Sequence, residues 1–201
     1  MTKQMEVSPD VKGLIFDLDG TIADTMPIHF TAWRNAAARY GIDFTTELFE
    51  QLAGIPLYKT VEKLNELFDK NIDPQEMGDA KEQEYEDNMH QAQPVEPVMD
   101  IIKKYHGKLP MVIGTGGSRE LSLKAMQLTG VDQYIDKLVS ADEVENHKPH
   151  PDTFLKCAEL IGVKPEDCLV FEDGKLGIQA AKDAGMRVID VTDYYEVTIG
   201  Q

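Results

Sequence analysis

Long apolar runs are missing from this chain. No stretch of 18 consecutive apolar residues occurs, which excludes a membrane-spanning helix. Met1–Asp10 has no apolar core of the kind a secretory signal carries. Cysteine is scarce as well. Cys157 and Cys168 are too few and too isolated to form a disulfide framework or a thiolate metal site. Positive charge is the third shortage: 20 Lys and Arg stand against 36 Asp and Glu, for a net charge of −16. Such a chain is a poor partner for nucleic acid or an anionic membrane, where attraction to phosphate dominates affinity. These shortages lead to the expectation of a soluble cytoplasmic protein with reduced thiols.

The 201 residues are 42% hydrophobic and 28% charged, ordinary for a globular chain. That length suits one domain, or one domain with an insertion, and is ample to bury a core without disulfide or metal. Five short apolar runs have the character of buried strands: Leu14–Phe16, Met111–Ile113, Leu138–Val139, Leu169–Phe171 and Val188–Val191. Helical patterns separate the last four. Leu121, Leu123, Ala125, Met126 and Leu128 form one mostly apolar face. Phe154, Cys157, Ala158 and Ile161 form the next, and Ile178, Ala180, Ala181 and Ala184 the third. Gly130, Gly162 and Gly185 come after these helices as stop signals. Strand and helix alternating in this way predict an α/β fold with a doubly wound parallel sheet.

The segment between the first two strands differs. It holds no convincing strand from Asp24 to about Pro94, only helical patterns such as Phe30, Trp33, Ala36, Ala37 and Tyr40, then Val61, Leu64, Leu67 and Phe68. Between Asp73 and Gln93 seven acids face the single base Lys81, which predicts a solvated helix face. Pro94 and Pro97 break the helix before Val98–Tyr105. An α-helical insertion in an α/β core is therefore expected.

Ligands in open α/β sheets bind at the carboxyl ends of the strands, so the residues just past each run matter most. Asp17-Leu18-Asp19-Gly20-Thr21 succeeds Phe16, and Gly114-Thr115-Gly116-Gly117-Ser118 succeeds Ile113. Lys148-Pro149 comes after the third run and a short acidic segment, and Glu172-Asp173-Gly174 comes after Phe171. An Asp-x-Asp-Gly stretch could be a calcium loop or a plain Asp-Gly turn. For a calcium loop Gly20 falls too early and the acidic twelfth ligand is absent. Four carboxylates in one crevice repel each other and need a divalent cation or large pKa shifts. All the donors are oxygen, which suits Mg²⁺ rather than zinc. The Gly114–Ser118 loop matches half of a dinucleotide fingerprint, with Arg119 in place of the last Gly. A phosphate nest of the Thr115 hydroxyl and backbone N–H groups fits it better. Lys148 beside the acids supplies the cation a phosphoryl group needs.

In order, Asp17-x-Asp19-Gly-Thr, Thr115, Lys148-Pro149 and Glu172-Asp173 resemble the four motifs of the haloacid dehalogenase superfamily. Within it the chain looks like the β-phosphoglucomutase-like branch. Gly114–Gly116, His147–Ala158 and Phe171–Met186 look closest to the bacterial fructose-1-phosphate/6-phosphogluconate phosphatases. The resemblance implies a Rossmann-like core over 1–24 and 95–201 with a small helical cap over 25–94. It implies that Asp17 attacks phosphorus and that Asp19 serves as acid and then base. Mg²⁺ would be held by the carboxylates of Asp17 and Asp173, the carbonyl of Asp19, and Glu172 directly or through water. Thr115, the Gly116 N–H and Lys148 would bind the phosphoryl oxygens.

The cap would choose the substrate. His29 and Trp33, four apart, share a helix face, either as a packed aromatic pair or, as the resemblance implies, near the cap–core cleft. Gly54-Ile-Pro-Leu-Tyr-Lys59 matches the branch's specificity loop, from which Lys59 could reach a substrate. Leu57 stands where β-phosphoglucomutase has an arginine for a second phosphate, and that departure favours hydrolysis over mutase action. The expected activity is Mg²⁺-dependent hydrolysis of small phosphorylated sugars, with the chain acting as a monomer on a small metabolite. The rivals are β-phosphoglucomutase, a phosphatase of pyrophosphate or another small phosphate, a dehalogenase, and a non-catalytic binding protein on the same fold.

Overall fold

A computed structural model describes residues 5–196 and 199. Its elements, in chain order, are β1 (Gly13–Phe16), β2 (Ala23–Asp24), α1 (Met26–Ala38), α2 (Thr46–Leu52), α3 (Leu57–Phe68), α4 (Pro74–Asn88), β3 (Gln93–Pro94) and α5 (Glu96–Tyr105). Then come β4 (Met111–Gly114), α6 (Arg119–Thr129), β5 (Leu138–Val139), α7 (Asp152–Ile161), β6 (Cys168–Glu172), α8 (Lys175–Asp183) and β7 (Arg187–Asp190). No helix among the described residues is long and apolar enough to cross a membrane.

The described residues up to Asp24 and from Ala92 to Glu196 make one compact unit, and Thr25–Gln91 with Ile199 make a second. Unit 1 is built on a five-stranded sheet of order β5-β4-β1-β6-β7, with every neighbouring pair parallel. Each expected strand is present, displaced by one residue or less at its ends. The sheet buries both faces. Ile15, Val112, Val139 and Val170 pack against Phe154, Cys157 and Ala158 of α7 and Ala180 and Ala181 of α8. The alternate positions Leu14, Phe16, Ile113 and Phe171 are fully buried as well, as the two-residue strand period requires. Phe16 and Phe171, paired in register, stack with ring centroids 4.7 Å apart. Gly130 and Gly162 adopt left-handed conformations that end α6 and α7.

Two expectations about unit 1 need correction. On α6 the buried row is Ser122, Ala125, Met126 and Thr129, whereas Leu123 and Leu128 are exposed. The Ser122 hydroxyl donates to Ser118 O at 2.7 Å and the Thr129 hydroxyl to Ala125 O at 2.9 Å. With their hydroxyls satisfied by the helix itself, these small polar residues are buried at little cost. A second sheet is present where the sequence predicts no strand: Ala23–Asp24 pairs antiparallel with Gln93–Pro94. These two-residue strands are too short to show a period, and they bring Gln93 and Pro94 into unit 1 rather than the helical insertion.

Unit 2 is helical and has its own core. Phe30, Trp33, Ala36 and Ala37 of α1 pack with Phe44, Phe49, Leu52, Val61, Leu64 and Met77. Thr45 caps α2, and the Asp73 carboxylate accepts the Gln75 and Glu76 N–H groups at the start of α4. Of the apolar face expected for α3, Val61 and Leu64 are buried, while Leu67 and Phe68 at the helix end are exposed. The acid-rich helix α4 is not solvated all round: Met77, Gly78, Lys81 and Tyr85 form a buried stripe. Acids alternate with these positions at helical spacing, so composition alone hid the stripe.

Candidate active site

Three strand ends build the site in unit 1. β1 lies between β4 and β6, so the residues after Phe16, Gly114 and Glu172 emerge side by side at the carboxyl edge of the sheet. The Asp17 N–H donates to Phe171 O at 2.9 Å, which continues the ladder one residue past the strand and fixes the direction of the Asp17 side chain. Carboxylate oxygens of Asp17, Glu172 and Asp173 lie within 4.8 Å of one another.

Lys148 reaches this cluster from the loop before α7. Its ammonium donates to Asp17 Oδ1 and Glu172 Oε2, both at 2.6 Å, and its Nζ lies 4.7 Å from the centre of the Phe154 ring. Asn146 holds the loop by donating to Asp152 Oδ1 at 3.0 Å. Glu172 is heavily engaged: Oε1 also accepts the Gly174 N–H at 2.9 Å and the Asp173 N–H at 3.2 Å. A Cβ at Gly177 would lie 2.0 Å from Glu172 Oε2, so glycine is required there for the carboxylate to fit against α8.

Burial and the neighbouring Glu172 push the Asp17 carboxyl up, to about 8, against the pull of Lys148. Burial raises Asp173 for the same reasons, with Glu172 and Asp17 adding to it. Burial alone would lower Lys148, but Asp17 and Glu172 outweigh it and hold the ammonium charged. The site thus gathers more negative charge than one lysine offsets. An oxygen-only donor set with proton affinities raised this far fits a hard divalent cation.

The remaining expected groups surround the cluster. The Asp19 carboxylate borders the Gly114–Ser118 loop, since a Cβ at Gly117 would lie 3.6 Å from Asp19 Oδ2. Thr115 is buried, and its hydroxyl accepts the Gly117 N–H at 3.0 Å, curling the loop as a nest does. Gly116 has open space beside it. The Thr21 hydroxyl donates to Asp173 Oδ1 at 3.0 Å. Asp17, Asp19, Thr115, Gly116, Glu172 and Asp173, at or just past strand ends, and Lys148, from the loop before α7, therefore all belong to unit 1.

The other expected residues lie in unit 2. His29 stacks on Tyr85 with centroids 4.0 Å apart, and Trp33 stacks on Phe44 at 5.9 Å. Between them sits Lys81, expected on a solvated face but buried. Its Nζ lies 3.1 Å from His29 Nδ1, donates to Glu82 Oε1 at 3.0 Å, and lies 5.7 Å from the Trp33 and 5.2 Å from the Tyr85 ring centres. A lone base among seven acids was the signal that could have drawn attention to it. Lys59 is exposed in the first turn of α3, and Leu57 packs against the unit 2 core.

The family model for haloacid dehalogenase-like hydrolases matches residues 14–191. The fructose-1-phosphate phosphatase YqaB of Escherichia coli is 40% identical over 179 residues, 89% of this chain and 95% of that protein. The phosphorylated carbohydrates phosphatase of Thermotoga maritima is 30% identical over 184 residues, 89% of this chain and 84% of that one. A solved β-phosphoglucomutase from Clostridium difficile superposes with a TM-score of 0.76 at 26% identity, covering 89% of this chain and 83% of that chain.

Proposed function

The chain belongs to the haloacid dehalogenase-like hydrolases and is a phosphatase, and from that premise we propose that it hydrolyses hexose or polyol phosphates such as fructose 1-phosphate through an aspartyl-phosphate on Asp17. The observation that carries this reading is the junction of β1, β4 and β6. There a buried carboxylate is held against a lysine and two further acids, beside a Thr/Gly nest.

Asp17 attacks phosphorus while the bond from phosphorus to the sugar oxygen breaks. Protonated Asp19 gives its proton to the departing oxygen, which leaves as the sugar alcohol. Asp19, now ionised, takes a proton from water as that water attacks the aspartyl-phosphate. Inorganic phosphate departs, Asp17 is regenerated, and Asp19 carries its proton again. Lys148 and the nest of Thr115 and the Gly116 N–H bind the non-bridging oxygens, because phosphoryl transfer rests mainly on alignment and charge neutralisation. Bound Mg²⁺, held by Asp17, Asp173, the Asp19 carbonyl and Glu172 directly or through water, would offset the charge of the acids and the phosphate.

Residues of unit 2 choose the sugar. Lys81, His29 and Trp33 group a cation with aromatic faces, a combination suited to hydroxyls and anionic groups, and Lys59 adds an exposed charge. An enzyme of phosphorylated sugars would work in the cytoplasm, and the proposal keeps it there as a monomer acting on a small metabolite. The rival is β-phosphoglucomutase. A mutase must grip a bisphosphate, and Leu57, packed against the unit 2 core, offers no charge for that. The test is a panel of sugar phosphates assayed for phosphate release with and without Mg²⁺. Release from fructose 1-phosphate or a similar ester is expected. No release from any sugar phosphate on the panel would overturn the proposal.

A further inference from the structure

The segment after β7 returns to the site. Val191 is buried, a short 3₁₀ turn spans Val191–Asp193, and Tyr195 then points its hydroxyl back at the loop after β1. The Tyr195 hydroxyl donates to the Gly20 carbonyl, joining residues 175 apart in sequence. Tyr195 lies outside all four sequence motifs of the site.

Gly20 is a constrained position. Its φ is +80°, and a Cβ there would lie 2.3 Å from Asp173 Oδ2. Its N–H donates to Ala23 O at 2.7 Å, and Thr21, the next residue, donates its hydroxyl to Asp173 Oδ1. The Asp19–Thr21 turn is thus pressed on the Asp173 carboxylate, and the Gly20 carbonyl is the group that Tyr195 holds. Burial acts most strongly on the phenol, and the charged groups that add to it are Asp173, Asp24, Asp17 and then Asp190. Together with burial they keep the phenol un-ionised and able to donate.

We propose that Tyr195 is a positioning residue for the phosphatase site: its hydroxyl fixes the Gly20 peptide and so sets the Asp19–Thr21 turn against Asp173. The Asp19 carbonyl and carboxylate belong to the same turn, so an error in this peptide would reach both the acid–base group and the cation ligands. Groups that orient ligands in this way commonly influence affinity and turnover without touching substrate. The inference rests on the phosphatase reading for its kinetic part, but its metal-binding part does not require turnover.

Tyr195→Phe removes only the hydroxyl. The Mg²⁺ concentration that gives half of the metal-induced rise in melting temperature should increase about fivefold, the size of one lost hydrogen bond. In the same variant kcat for fructose 1-phosphate should fall about fivefold while KM stays within about twofold of wild type. Tyr195→Trp should not restore either value, because the indole N–H cannot occupy the same point. A Tyr195→Phe protein that melts lower without metal yet keeps wild-type Mg²⁺ half-saturation would show that Tyr195 merely fastens the segment after β7, and would overturn the proposal. So would a variant unchanged in every measure. Wild-type protein that shows the Mg²⁺-induced rise but releases no phosphate would count against the phosphatase reading, and the metal titration would still decide the role of Tyr195.

Discussion

Lys148 and Lys81 both keep their side chains largely out of water, at 12% and 5% exposure, yet they keep different company. Lys148, in unit 1, is clamped by two buried carboxylates at 2.6 Å. Lys81, in unit 2, has one glutamate that is a third exposed, an imidazole and two aromatic faces. In the proposed reading the first arrangement fixes a cation for the phosphoryl group, and the second belongs to the unit that chooses the substrate. The chemistry would then stay with unit 1 and the choice of substrate with unit 2.

This division implies that damage in unit 1 should abolish turnover and damage in unit 2 should shift selectivity. Chelating the metal should have the largest effect, with turnover lost entirely and restored by Mg²⁺; full activity in excess chelator would contradict the metal assignment. The metal-free protein should also lose stability as pH rises from the ordinary carboxylate range toward 8. Asp17 holds its proton more tightly folded than unfolded, so folding is favoured at the acid end of that window. Melting curves in chelator across this range would check the slope, and a rise in stability with pH would contradict it.

Asp17→Asn keeps the shape but removes the attacking charge, and kcat should fall by at least about 10³-fold. A variant that keeps more than about a tenth of wild-type turnover would remove Asp17 from the nucleophile's place. Lys148→Met strips the cation from Asp17 and Glu172 and should lower kcat about 10²-fold, the scale of losing one preorganised charge. Lys81→Met should behave differently. KM should rise about tenfold with a smaller change in kcat, as loss of uniform binding does. If Lys81→Met lowered kcat as much as Lys148→Met, the division between the two units would not hold.

The catalytic half of this arrangement was readable from sequence because strand ends are local. Asp17, Thr115 and Glu172 each sit within a residue or two of a short apolar run, and parallel pairing does the rest. Lys148 was found by its neighbours in sequence, not by any periodicity. The arrangement in unit 2 was not legible in the same way. His29 and Trp33 stand out by their spacing, but their partners Tyr85 on α4 and Phe44 in the connection before α2 come from tertiary packing, and surrounding acids mask Lys81. On α6 the leucines drew attention from Ser122 and Thr129, which bury themselves by bonding their own helix. The contact between Tyr195 and Gly20 spans nearly the whole chain and leaves no local trace.

The phosphatase assignment is tested most directly by tracking both fates of one substrate. β-Glucose 1-phosphate would be supplied with glucose 1,6-bisphosphate as primer, and inorganic phosphate and glucose 6-phosphate measured together. With Leu57, packed against the unit 2 core, at the position where an arginine would grip a distal phosphate, water should take the phosphoryl group from Asp17. Steady phosphate release with negligible glucose 6-phosphate is expected. Isomerisation outrunning phosphate release by about tenfold, a difference of more than 1 kcal/mol in favour of the sugar as acceptor, would contradict the assignment and make the chain a mutase.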